Sequence, residues 1–173
     1  IPGAERDVVG TLEGLDDLTV TANVVDIPDN LLYFIDSGAS SGSELYDVIK
    51  EMAPNLVNTE AYDQAYMEGS WGYTGTDEDI APKNPTSLDA YTSGFWAKSG
   101  KNIDYKLPLK AGEYQLSAGF QEWWSTSRPM KIVVSYEGED GQKIETTIGQ
   151  FTNSGEKAYL FPFTVENDAD VTI

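Results

Sequence analysis

The chain has 173 residues, 40% of them apolar and 12% aromatic, with 11 basic against 29 acidic side chains and a formal net charge of −18. That charge repels nucleic acid and anionic lipid, whose binding rests on clustered cations, and the aromatics lie in patterned segments, which argues against disorder. With no cysteine and no histidine, disulfide frameworks, thiolate zinc sites, cysteine nucleophiles and serine–histidine triads are excluded, which leaves carboxylate-only chemistry of the glycoside-hydrolysing kind.

The opening IPGAERD has neither the basic start nor the apolar core of a signal peptide. Apolar runs such as LLYFI and YLFPF are too short to span a membrane. The chain reads as a piece of something longer. Residues 8–27 predict two short strands around an acidic turn, with Leu18, Val20, Ala22 and Val24 alternating with polar partners. Pro28 to Asn30 break that pattern and mark a boundary between a leading segment, 1–27, and a main unit, 28–173.

The main unit opens on a strand, LLYFID, ending at Asp36, followed by the small-residue loop SGASSGS. Leu45, Val48, Ile49 and Met52 fall at helical spacing and predict one short helix near residues 43–52. Ser41 with Glu44 fits a capping box at its start, and Pro54 ends it. Residues 60–99, rich in Tyr, Gly, Ser and Asp, predict long loops and short strands. From Ile103 onward the alternation is continuous. Ile103, Tyr105 and Leu107 form one strand, and Tyr114, Leu116, Ala118 and Phe120 a second. Ile132, Val134 and Tyr136 turn through GEDGQ into Ile144, Thr146 and Ile148. Tyr159, Phe161, Phe163 and Val165 follow, with Pro162 implying an edge or a bulge. The closing DADVTI begins a further alternation and stops, as a last strand cut short would. Short strands separated by turns, with one helix, give an all-β class and a β-sandwich.

Two stretches carry resemblances. The pattern V-x-GTLEG-x-DDLTVTANV over residues 8–24 resembles the last strands of a bacterial immunoglobulin-like domain of secreted glycosidases. The segments YFIDSGAS (33–40), DQAYMEGSWGYTG (63–75) and IDYKLPLKAGEYQLSAGFQEWW (103–124), in that order, resemble the malectin-like branch of the galactose-binding jelly-roll domains. That resemblance implies a jelly-roll β-sandwich that binds oligo- or polysaccharide without catalysis. Such a module is commonly appended to a secreted bacterial glycoside hydrolase. The helix near 43–52 and the shortened last strand depart from the simplest family pattern.

Sugars are held by aromatic rings stacked on their C–H faces and by polar groups that read their hydroxyls. AYDQAYMEGSWGYTG offers Tyr62, Asp63, Tyr66, Trp71 and Tyr73; DAYTSGFWAKSG offers Asp89, Tyr91, Phe95 and Trp96; QEWWSTSR offers Glu122, Trp123, Trp124 and Arg128. The candidate sugar-binding set is Asp63, Tyr66, Trp71, Tyr73, Tyr91, Trp96, Trp123, Trp124 and Arg128. Each has a plainer role beside it. An aromatic in a sandwich is more often core, and Tyr105, Tyr114, Phe120, Phe161 and Phe163 are assigned there. Asp63 also fits a turn cap, and Arg128 fits a salt bridge. Neighbours on a strand point to opposite faces, so Trp123 and Trp124, like Phe95 and Trp96, cannot share one. One of Trp123 and Trp124 covers the core end; the other is a ligand platform or a contact with a neighbouring domain.

No cofactor is required. Calcium is admitted as a structural ion, either on Asp77, Glu78 and Asp79 or on Asp36, Asp63 and Asp89, but neither set matches a defined calcium loop. Three functions compete: a carbohydrate-binding module, a carboxylate enzyme pairing Glu122 with Asp63 or Asp36, and a spacer packed on neighbouring domains. The absence of histidine and of any catalytic motif favours a non-enzyme. The partners expected are a neutral glycan and the adjoining domains of a secreted or cell-surface protein.

Overall fold

Alternating side chains become strands where one face finds a core, as they do here from Tyr105 onward, and nine strands form among the described residues. The computed structural model describes residues 30–173; the two strands expected in residues 8–27, the leading segment and the boundary at Pro28 lie outside the described residues. The elements are α1 (Tyr46–Met52), β1 (Gly72–Tyr73), β2 (Ile80–Lys83), β3 (Gly94–Ala97), β4 (Tyr105–Leu109), β5 (Gly112–Gln121), β6 (Arg128–Glu137), β7 (Lys143–Asn153), β8 (Glu156–Val165) and β9 (Ala169–Thr172). An antiparallel five-stranded sheet runs β1-β4-β9-β6-β7, and β2-β3 and β5-β8 form two-stranded ribbons. No helix among the described residues is long and apolar enough to cross a membrane.

The architecture is all-β and sandwich-like. Leu107 and Leu109 of β4, Val134 and Tyr136 of β6, Val171 of β9 and Val165 of β8 bury their side chains together with Trp71. Tyr114 and Phe163, opposite each other in β5 and β8, stack at 5.5 Å and pack on that cluster. Further along, Phe120, Phe151, Tyr159 and Phe161 form a second run of ring contacts between the ribbon and β7. Of the aromatics expected in the core of β5 and β8, Tyr114 and Phe163 pack on the buried cluster, while Phe120 and Phe161 are half-buried in the second run of rings. The GEDGQ turn closes with Gly138 N–H donating to the Gln142 carbonyl at 2.8 Å. Pro162, which has no N–H to donate, sits in β8, whose only ladder partner among the described residues is β5.

Three local expectations are corrected. The stretch expected as a strand up to Asp36 joins no sheet. Its backbone is held by the buried Asn58 side chain, which accepts from Phe34 N–H at 2.9 Å and donates to the Phe34 carbonyl at 2.6 Å. The helix forms, but its buried face is Tyr46 and Ile49, packed with Phe34 and Ala53, while Val48 and Met52 are each 50% exposed. The capping box does not form: Ser43, not Ser41, supplies the turn oxygen, accepting from Leu45 N–H at 3.2 Å. The closing residues form β9, which pairs with β4 from Leu107↔Val171 to Leu109↔Ala169 and meets β6 at Ser135↔Thr172.

Candidate functional site

The β2–β3 ribbon divides the candidate residues. Ala81 faces Trp96 and Pro82 faces Phe95 across the ladder, so period 2 sends Ile80, Pro82 and Phe95 to one side and Lys83, Gly94 and Trp96 to the other. On the first side is an open cleft of about 500 Å³, whose walls include Tyr62, Asp63, Tyr73, Phe95, Pro82 and the 38–40 backbone.

Asp63 builds that cleft. Its Oδ2 accepts from Gly38 N–H at 2.7 Å and from the Tyr105 hydroxyl, and its Oδ1 accepts from Gln64 N–H at 2.8 Å. Its own N–H donates to the Ala39 carbonyl at 3.0 Å, so the 37–40 loop is clamped from both sides. Burial pushes the Asp63 carboxyl up to about 6, against the pull of its three donors. A carboxylate offers about four lone-pair sites, so three donors leave room for one more. Tyr73 is brought beside Asp63 by a short ladder, in which Tyr66 N–H donates to Tyr73 O at 2.8 Å and Tyr73 N–H to Gln64 O at 3.0 Å. The Tyr73 ring meets Phe95 edge-on at 4.9 Å and Tyr105 edge-on at 6.4 Å. Tyr105 thus serves this polar corner as well as packing, its hydroxyl also contacting Ser37 Oγ at 2.8 Å.

Asp36 lies beneath the loop. Its Oδ1 accepts from Ser93 Oγ at 2.6 Å, and its Oδ2 is buried with no partner among the described residues. Burial pushes its carboxyl up to about 6, with the Asp63 and Asp89 charges adding to the rise and the Ser93 hydrogen bond opposing it.

On the other side of the ribbon the three remaining tryptophans meet. Trp124 is 49% exposed, edge-on to Trp96 at 5.8 Å and to Trp123 at 5.9 Å. Trp123 packs on Gly94: a Cβ there would stand 2.6 Å from the Trp123 ring. From the opposite side Gly38, at φ +72°, brings its own backbone so close that a Cβ would lie 2.6 Å from the Gly94 carbonyl carbon. The two glycines let cleft and tryptophans sit one strand apart. Glu122 organises the turn after β5: it is buried, accepts Trp124 N–H at 3.0 Å and holds Arg128 Nε at 2.6 Å. The salt bridge considered for Arg128 is real. Its guanidinium also lies 5.4 Å from the Trp124 ring centroid, and Lys83 Nζ lies 6.0 Å from it.

The expected set is therefore split. Asp63 and Tyr73 share the cleft, and Trp96, Trp123, Trp124 and Arg128 share the opposite face; the expectation that Trp123 and Trp124 point to opposite faces fails, because both lie in the turn after β5, where strand alternation does not apply. Trp71 is 5% exposed and belongs to the core, so it offers no platform. Tyr66 is away from both, donating its hydroxyl to Asp170 at 3.0 Å under the Lys106 ammonium at 4.8 Å. Tyr91 lies on the outer face of β5, its ring 3.0 Å from where a Gly119 Cβ would stand. Tyr62 and Phe95, named among the loop aromatics but outside the candidate set, line the cleft, as do Ser40 and Pro82. Lys83 was missed altogether, since nothing local shows that its strand crosses a tryptophan.

A second hollow of about 500 Å³, lined by Lys106, Glu137, Lys143, Asp168 and Asp170 among others, carries no exposed ring and so lacks a stacking surface. In the acidic loop, Asp79 accepts from Thr76 N–H at 3.0 Å and pairs with Lys101 at 2.9 Å, so it is held by the chain itself. Among the described residues no three acidic side chains converge as a metal-holding group. Comparison with protein-family models, with curated proteins and with solved structures finds no match.

Proposed function

We propose that the chain is a non-catalytic carbohydrate-binding module, of malectin-like jelly-roll kind, that attaches a secreted bacterial glycoside hydrolase to a neutral oligo- or polysaccharide. The observation that carries this reading is the cleft, where the Tyr62, Tyr73 and Phe95 rings stand beside Asp63 and the Ser40 hydroxyl. Rings supply the C–H stacking surface, and the carboxylate, with room for one more donor, accepts a sugar hydroxyl. Asp63 and Asp77 are acidic and no cation among the described residues lines the cleft, which fits an uncharged sugar. Glu122 is committed to Arg128 and to the Trp124 N–H, which leaves it holding a turn rather than transferring protons. The family likeness, the attachment to an enzyme and the immunoglobulin-like leading segment rest on the sequence motifs.

The test is a screen of the full chain against neutral plant, host and bacterial glycans, followed by calorimetry on hits. Tyr73→Ala and Phe95→Ala are expected to weaken a hit by at least about tenfold, about 1.4 kcal/mol. Silence across the neutral panel would overturn the reading and leave the chain as a spacer.

A further inference from the structure

The face behind the cleft has the opposite electrostatic character. We propose that the tryptophan ledge formed by Trp96 and Trp124, with Lys83 and Arg128, is a second binding surface that takes carboxylate-bearing sugar units, uronic acids, from an acidic polysaccharide.

The ledge presents the exposed indole of Trp124, a ring suited to stacking on a pyranose. Two cations flank it, Arg128 at 5.4 Å and Lys83 at 6.0 Å from the ring centroid. With the buried Glu122 set against Arg128, Lys83 leaves the ledge one net positive charge, a local reversal of sign on a chain of net charge −18. Three other lysines are committed to carboxylates: Lys101 to Asp79, Lys110 to Asp168 and Lys143 to Glu145. Lys83 pairs with no carboxylate among the described residues. Arg128 satisfies Glu122 through Nε at 2.6 Å and Nη2 at 3.4 Å, and its Nη1 makes no hydrogen bond among the described residues. A planar guanidinium edge and a mobile ammonium beside a stacking ring match a pyranose that carries a carboxylate. The buried Glu122 is neutralised by the same arginine, so it does not repel such a ligand. Among the described residues no cation lines the cleft, which offers Asp63 and Asp77 instead, so an acidic sugar is turned away there.

The ligand class rests on the carbohydrate reading above, while the surface and the charge are independent of the cleft. The experiment separates the two. The full chain is titrated with tetragalacturonic acid, with its fully methyl-esterified form and with a neutral glycan identified for the cleft, at low and high salt. The free acid is expected to bind, to weaken with salt, and to lose at least about tenfold on esterification. Trp124→Ala and Lys83→Gln should each weaken it, whereas Phe95→Ala should not. Lys83 is the cleaner variant, because removing Arg128 would strand the buried Glu122 carboxylate. No binding of the acid, equal binding of the ester, or binding unchanged in both Trp124→Ala and Lys83→Gln would overturn the ledge. Loss of the neutral glycan alone, in Phe95→Ala, would leave the ledge standing and speak only to the cleft.

Discussion

Phe95 and Trp96 are adjacent in the chain, yet one closes the cleft over Tyr73 and the other props a tryptophan flanked by cations. The two faces of the β2–β3 ribbon have the same raw material, aromatic rings, and differ in what stands next to them. In the proposed function, carboxylates on one side and cations on the other make equivalent stacking surfaces into different filters. The lesson is that a count of exposed aromatics identifies a sugar-binding surface poorly until its polar neighbours are known.

The comparison has a core counterpart. Trp71, fully packed among Leu107, Val134 and Val171, and Trp124, half in solvent, are the same residue in opposite roles. Trp71→Ala should cost about 3–5 kcal/mol in denaturant unfolding. Trp124→Ala should cost only about 0.5–1 kcal/mol, chiefly its cation contacts. Equal losses would mean that Trp124 is structural and the ledge is not a free surface.

Next in size is the divider itself. Gly94→Ala places a methyl 2.6 Å from the Trp123 ring, and Trp123 has the Trp124 ring behind it. The expected cost is about 1–3 kcal/mol from overpacking, with binding at both faces impaired together. A Gly94→Ala protein with wild-type stability would show that the two faces are not built on one thin strand.

The smallest effect is one of pH. Asp36 titrates up to about 6 in the fold against 3.8 unperturbed. A carboxyl whose folded pKa is raised holds its proton more tightly in the native state. Its contribution is therefore fully present below the unperturbed value and is lost as pH rises through about 6. Asp63 is raised to about 6 as well and acts in the same direction. Asp36→Asn should remove the Asp36 part, so that the mutant gains thermal stability relative to wild type between pH 4 and pH 7, those limits being approximate. A difference in Tm between the two proteins that stays constant with pH would contradict the burial of an unpartnered carboxyl.

Much of this was legible in the sequence, and the parts that were not share a cause. The strands from Tyr105 to Val165 followed from period-2 alternation, because each finds its partner close by in the chain or across a continuous core. The two-face rule rightly separated Phe95 from Trp96. Trp71 looked like a loop residue, flanked by Ser70 and Gly72, but the core it fills is supplied by β4, β6 and β9, far along the chain. The strand expected at 31–36 has the right composition and no sheet to join, since the Asn58 side chain takes the place of a ladder. The β2–β3 ribbon, IAPK against GFWA, carries proline and glycine and no alternation of its own; contacts with Gly38 and Trp123 place it. Lys83 could be read as a ligand contact only after that placement.

The most direct test of the central claim is calorimetry of one neutral glycan and of tetragalacturonic acid on two neighbouring variants, Phe95→Ala and Trp96→Ala. The account predicts a crossed result: Phe95→Ala loses the neutral sugar and keeps the acid, and Trp96→Ala does the reverse. Parallel losses in both variants, or none in either, would contradict the division of the two faces.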